Sequence, residues 1–342
     1  MKHLLGAAVA LTVAAWIAAP VQASPVTGTA IYPLTPSGGN YYIPVRGGET
    51  GRFIGQLGMV WDEPVEVTSL SLSIFNDPGD PRAIPETVRI YTAPNTFVDV
   101  LFTPKVDGTL YGEYFLDFSA NPIQAVNSYV VVVMLHEKLL PGYGYWHVGL
   151  VNGTMTFGAE SLGNDKDVNL NSQSFGTMMS FSAGTPAPNF GSAERTNNGD
   201  LVNNYGSNGV LWAASHAGKT IELTATYEDL QTIGSIGLAF AGDDGNRYSP
   251  ASITVVGTDK DGELIATMDI AINAESALYG RYALNDDFVD VKYLTLQFVV
   301  PLDIPGTGYI GIHEFQAFAP IPEPATMSLL ALGGLALLRR RK

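Results

Sequence analysis

The side chains in this sequence best suited to chemistry are oxygen-bearing and aromatic. Asn197-Asn198-Gly199-Asp200, with Asn203-Asn204 close behind, concentrates amide and carboxylate oxygens in one short stretch, and Glu314 stands in the last strand-like run. Calcium takes several oxygen ligands that converge from loops, which makes Asp200 and Glu314 the candidate calcium ligands. The same Asn/Asp/Gly composition also marks ordinary solvated turns. The aromatic candidates fall in predicted loops: Tyr205, Arg247 and Tyr248 in the second half of the chain, Tyr143, Tyr145 and Trp146 in the first. Ring faces stack on the apolar C–H surface of sugars while a few polar groups take the hydroxyls, so these six are the candidate glycan-binding residues. Trp212 is read instead as a core anchor.

Signals for catalysis are sparse. The chain has no H-E-x-x-H helix, no G-x-S-x-G elbow and no phosphate loop, and His136, His147, His216 and His313 are scattered singly. No catalytic residue is assigned. Two carboxylates about 5–9 Å apart need no proximity in sequence, so a secreted glycan-active enzyme with a glycosidase-like pair is the alternative function. Asp165, Asp167 and Asn169 alternate as in an EF-hand loop, but Leu170 stands where the turn glycine belongs and Gly176 where the bidentate glutamate belongs. That stretch reads as solvated linker.

The elements that would position these residues are strands. The chain has 342 residues, 37 Gly and 21 Pro, no cysteine, and many short alternating runs: Thr68 to Ile74, Thr87 to Tyr91, Ile221 to Ala225, Ser252 to Val255 and Tyr293 to Phe298. Period-two alternation places one face on a core and the other in water. Tyr129 to Met134 is continuously apolar, as in a strand buried on both faces. Turn signals such as Asn76-Asp77-Pro78-Gly79, Asp107-Gly108, Asp243-Asp244-Gly245 and Asp261-Gly262 separate the runs. The fold class is therefore all-β, of sandwich or jelly-roll type. Without cysteine, neither disulfides nor thiolate chemistry contributes.

Three landmarks occur twice in the same order. Thr68-Ser69-Leu70 returns as Gly234-Ser235-Ile236, Leu110-Tyr111-Gly112-Glu113-Tyr114 as Leu278-Tyr279-Gly280-Arg281-Tyr282, and Pro141-Gly142-Tyr143-Gly144-Tyr145 as Pro305-Gly306-Thr307-Gly308-Tyr309. Their separations are 166, 168 and 164 residues, and Trp61 and Tyr227 keep the same offset. Order and spacing together imply two tandem β-domains, 26–160 and 195–319, joined by a linker, 161–194. The linker is polar and rich in breakers, and the stretch around Phe175 to Phe181 is a candidate extension of the first domain. By the repeat offset, Leu150 occupies the position of Glu314, so calcium is expected only in the second domain.

The two ends of the chain carry addresses. Lys2 and His3, then the apolar run Leu4 to Ala19, then a small-residue site between Ala23 and Ser24 form a signal peptide, 1–23. At the other end, Pro322-Glu323-Pro324 precedes an apolar segment, 325–338, and the basic tail 339–342 with Arg339, Arg340 and Arg341. An apolar run followed by a basic cluster enters a bilayer with the cluster on the cytoplasmic side. With both ends set aside, 13 basic residues face 32 acidic ones, a net charge of −19 for residues 25–319. That disfavours nucleic acid and anionic membrane surfaces as partners.

The Pro-Glu-Pro motif, short apolar helix and Arg-rich tail of 321–342 resemble the PEP-CTERM sorting signal. The resemblance implies an exosortase-type processing enzyme as partner, transient anchoring in the inner membrane through that helix, and a double-membraned bacterium making extracellular polysaccharide. The expected location is the cell surface or extracellular matrix, in a structural or adhesive role. Residues 53–133 look like extracellular β-domains that precede such tails. The second domain is similar to galactose-binding-like, or discoidin-like, jelly rolls, through Leu211-Trp212-Ala213-Ala214, Ile233 to Leu238 and Ile310-Gly311-Ile312-His313-Glu314-Phe315. That likeness implies loops that bind carbohydrate and a structural calcium.

Overall fold

The computed structural model describes residues 26–31, 35–37, 40–47, 53–75, 87–101, 111–136, 146–163, 167–171, 178–199, 201, 209–240, 247–273, 278–285, 288–302 and 308–320. The first half contributes β1 (Thr29–Ile31), β2 (Thr35–Ser37), β3 (Asn40–Gly47), β4 (Phe53–Val60), β5 (Val65–Phe75), β6 (Thr87–Ala93), β7 (Thr96–Leu101), β8 (Tyr111–Asp117), β9 (Ile123–Ala125), β10 (Tyr129–His136) and β11 (Trp146–Ser161). The second contributes β12 (Met178–Ala183), β13 (Val210–Ala213), β14 (Thr220–Gln231), β15 (Ser235–Phe240), β16 (Arg247–Tyr248), β17 (Ser252–Thr258), β18 (Leu264–Ala271), β19 (Tyr279–Ala283), β20 (Val291–Val299) and β21 (Tyr309–Phe318). Each alternating run identified in the sequence lies in a strand, and Gly262 takes φ +83° in the predicted Asp261-Gly262 turn. The fold is all-β, two tandem sandwiches. The expected signal peptide, with Ala23 and Ser24, and the expected C-terminal helix, with Pro322, Glu323, Pro324 and Arg339 to Arg341, lie outside the described residues.

The first sandwich is one sheet folded on itself, in the order β7-β6-β10-β4-β3-β11-β5-β8. β11 turns the corner: residues 146–151 pair with β3, while Met155 to Ser161 pair with β5. The register breaks between Leu150 and Met155, and such bulges bend a strand. Leu57, Val88, Ile90, Val130 and Val132 from one layer then meet Val65, Val67, Leu70, Leu72 and Tyr114 from the other in a single core. The second sandwich uses two separate sheets, β12-β14-β20-β17-β18 and β13-β21-β15-β19. Trp212 anchors its core as expected, fully buried, edge-to-face with Phe298 at 5.6 Å and donating its indole N–H to the Pro186 carbonyl at 3.0 Å.

Pairing order repeats between the halves. The ladder β4-β10-β6-β7 has its counterpart in β14-β20-β17-β18, and β11-β5-β8 in β21-β15-β19. Tyr129 pairs with Val60 as Tyr293 pairs with Thr226, offsets of 164 and 166 residues, as in the sequence. The second landmark slips: Tyr114 opposes Leu72, whereas Tyr282 opposes Ile236, two residues short of the offset. A two-residue shift preserves facing, and both tyrosines stay in their cores. One equivalence needs correction. Leu150 opposes Ile74 as Ile312 opposes Phe240, so Leu150 corresponds to Ile312, and Glu314 has its counterpart in the irregular stretch before Met155.

The stretch expected to be a solvated linker is partly built into the fold. β12 pairs with β14 and buries Phe181 in the second core, so this strand belongs to the second sandwich rather than extending the first. Residues 167–171 form a strap between the halves. The Asp167 N–H donates to the Asp62 carbonyl at 2.7 Å, the Leu170 N–H donates to the Ala317 carbonyl at 2.7 Å, and Asn169 bridges Phe318. Asn171 is fully buried, accepting the Tyr227 hydroxyl at 2.7 Å and donating to the Phe315 carbonyl at 2.8 Å. Polar composition misled here because these polar groups are hydrogen-bonded, which is the condition for burying them.

Candidate functional site

β10 explains how the two sandwiches meet. Val130, Val132 and Met134 point into the first core, while Tyr129, Val131 and Val133 face outward and join Ile31, Tyr91, Leu201, Ala239, Leu278 and Tyr279 in a second apolar cluster. The strand is buried on both faces, as its unbroken apolar run predicts, and its outer face is covered by the second sandwich. Tyr129 and Tyr279 meet edge-to-face at 5.2 Å, and Asn273 reaches across to donate to the Pro94 carbonyl at 2.8 Å. Burial pushes the hydroxyls of Tyr129 and Tyr279 well above the usual phenol range, so both remain protonated.

Beside this cluster lies a buried ion pair. The Arg281 guanidinium, on β19, binds both Asp167 carboxylate oxygens, and the two side chains are 5 % and 3 % exposed. The Arg281 Nε–H donates to the Ser235 hydroxyl at 3.0 Å, and the guanidinium stacks 3.9 Å over the Phe318 ring. From the first sandwich, the Ser128 hydroxyl donates to Asp167 at 2.5 Å. Strap and both sandwiches therefore converge on one carboxylate. Cavities flank the pair on either side. One, of about 440 Å³, is bordered by Asn127, Ser235, Arg281, Asn285 and Pro320. The other, of about 340 Å³, is bordered by Trp61, Asp62, Asp167, Asn169, Gln316 and Phe318.

The residues singled out in the sequence lie elsewhere. Arg247 and Tyr248 form β16, which pairs in parallel with Tyr309 and Ile310 at the start of β21. Trp146 opens β11 opposite Val45, so it stands at the equivalent end of the first sandwich. Tyr143, Tyr145 and Tyr205 lie outside the described residues, as does Asp200. Glu314 is 1 % exposed, not a surface glutamate, and its carboxylate accepts the Gly199 N–H at 3.3 Å, which brings the Asn197 to Gly199 segment onto β21. Among the described residues, no group of three or more His, Asp or Glu side chains gathers as a metal site. The sequence reading missed Phe190. This ring is 52 % exposed and packs edge-to-face on Tyr309 at 5.3 Å, beside β16. Its signal was faint: a large apolar side chain in the breaker-rich run Pro186-Ala187-Pro188-Asn189.

Beyond the last strand, residues 320–342 match the family model for the PEP-CTERM protein-sorting motif. The chain ends in a PEP-CTERM sorting motif. A PEP-CTERM protein is exported and associated with the cell envelope, and the motif implies processing by an exosortase. No curated protein matches the sequence. Among solved structures, the chain is similar to the lectin domain of lectinolysin complexed with Lewis b antigen, at 15 % identity over 44 % of this chain and 96 % of that one, with a TM-score of 0.34. A Streptococcus pneumoniae fucose-binding module matches at 14 % identity over 45 % and 97 %, TM-score 0.33. An F5/8 type C domain from Bacteroides fragilis matches at 14 % over 42 % and 95 %, TM-score 0.33. Likeness at this level carries no argument about ligands. No helix among the described residues is long and apolar enough to cross a membrane.

Proposed function

We propose that the protein is a structural or adhesive component of the cell surface or extracellular matrix, held transiently at the inner membrane by its C-terminal segment, and that it binds extracellular polysaccharide rather than catalysing a reaction. The observation that carries this reading is the position of the sorting motif. β21 ends at Phe318 and the motif begins at residue 320, so the closing strand of the second sandwich passes into the sorting segment with no spacer domain. A body joined so closely to its address is presented at the envelope as one unit. Polysaccharide contact is assigned to the end of the second sandwich where Arg247 and Tyr248 adjoin the Phe190–Tyr309 ring pair, with Tyr143, Tyr145, Trp146 and Tyr205 as further aromatics. A structural calcium held by Asp200 and Glu314 is part of the same proposal.

The test is retention of the exported chain on a panel of bacterial polysaccharides, with calcium and with chelator. Retention that weakens on Phe190→Ala or Tyr248→Ala supports the assignment, and loss with chelator that Asp200→Ala reproduces supports the calcium. No retention under either condition refutes polysaccharide binding. The mass of the mature C-terminus checks the address: persistence of residues 325–342 after export refutes processing.

A further inference from the structure

We infer that the smaller junction cavity is a binding site for a single sugar unit, formed jointly by the two sandwiches and the strap between them. The inference rests on the polysaccharide reading but places a second site, at the junction, away from the exposed rings. Thr27, Thr29, Trp61 and Asp62 come from the first sandwich, Asp167 and Asn169 from the strap, and Gln316 and Phe318 from β21. Neither sandwich alone completes it. Its volume of about 340 Å³ lies at the lower end of small-molecule sites, the size of a compact polar ligand rather than a chain segment.

The hydrogen-bonding inventory identifies the ligand chemistry. The Asn169 side-chain oxygen already accepts the Asn171 N–H at 3.1 Å and the Ala317 N–H at 3.3 Å. The Gln316 oxygen accepts the Tyr279 hydroxyl at 2.7 Å. With both amide oxygens committed, each amide still carries an NH2 group with no partner among the described residues. The exposed Thr27 and Thr29 hydroxyls add groups that donate or accept, the Asp62 carboxylate accepts, and Trp61 and Phe318 supply apolar ring surface. Closely spaced donors and acceptors beside ring carbon match a polyhydroxylated ring. A divalent cation does not fit, because the Asp167 carboxylate is already neutralised by Arg281 and only Asp62 adds charge.

Three substitutions test the site in the exported chain. Thr29→Trp fills the cavity from an exposed position. Gln316→Glu and Asn169→Asp keep the oxygens that hold the fold and convert the free donors to acceptors. Galactose, fucose, glucose, N-acetylglucosamine and glucuronate are titrated against the wild type, with tryptophan fluorescence and thermal shift as readouts. At least one sugar is expected to bind the wild type and to bind each variant at least tenfold more weakly, while exposed Leu264→Ser on β18 binds as wild type. Equal affinity in folded Thr29→Trp and Gln316→Glu overturns the cavity assignment and leaves polysaccharide retention standing. Binding of none of the five sugars overturns the cavity assignment as well, and retention of the wild type on polysaccharide then decides the proposed function separately.

Discussion

Replacing Arg281 with methionine is the sharpest probe of the junction. Methionine keeps much of the side-chain volume and its contact with Phe318 but removes the charge from Asp167, whose side chain is 3 % exposed. The carboxylate keeps the Ser128 hydroxyl as a donor and loses both guanidinium contacts. Removing one partner of a buried pair costs about 3–5 kcal/mol, because the remaining charge is left desolvated. Loss of cation–π attraction to Phe318 adds about 0.5–2 kcal/mol. For a domain pair of this size, roughly 2 °C per kcal/mol gives a melting temperature lower by roughly 7–14 °C. Calorimetry of the exported chain reads the shift, and limited proteolysis reads whether the strap opens at 167–171. The double variant Asp167→Asn/Arg281→Met removes both charges and is expected to recover more than half the loss. A shift of less than about 1 °C in Arg281→Met, with the strap still protease-resistant, refutes the claim that this pair joins the sandwiches.

Two further outcomes follow from the same packing. Burial raises the phenols of Tyr129, Tyr227, Tyr279 and Tyr282 above their ordinary value, so above about pH 10 the unfolded chain releases protons that the folded chain retains. Stability is thus complete below that pH and falls above it by up to about 1.4 kcal/mol per pH unit for each tyrosine, seen in urea unfolding between pH 9 and 11; a flat profile contradicts the burial. Gly237, on β15, lies against the junction, where an added Cβ would sit 2.5 Å from the Tyr279 hydroxyl and 2.9 Å from the Gln316 oxygen. Gly237→Ala is expected to destabilise by about 1–3 kcal/mol in chemical denaturation, and an unchanged midpoint shows that β19 shifts freely.

The legible part of the candidate site was the part written in local pattern. Arg247, Tyr248 and Trp146 stand out by residue type, and strand ends place them where a loop-borne site would be. The junction was not legible in the same way. Asp167 sat in a run whose alternation suggested only a failed calcium loop, and Arg281 read as one residue of a repeated Leu-Tyr-Gly-x-Tyr landmark. Their partnership joins positions 114 residues apart. Glu314 was visible as a candidate ligand, but its burial was not, because the Gly199 N–H that reaches its carboxylate comes from 115 positions away.

By itself the sequence determined the sorting motif at the C-terminus, the all-β class, the strand positions and the doubled pairing order. These depend on composition, period-two alternation and turn chemistry, which act over a few residues. It also announced, through Tyr129 to Met134, that one strand has no solvent face. Only the tertiary structure decided what covers that face. A strand pattern records that a side chain is apolar, not which surface it meets, whereas docking depends on outer faces, with Gly237 and Ala239 on one side and Tyr91 and Tyr129 on the other, that become complementary only when both sheets exist. The buried pair and the cavities beside it are consequences of that docking, and so belong to the folded tandem alone.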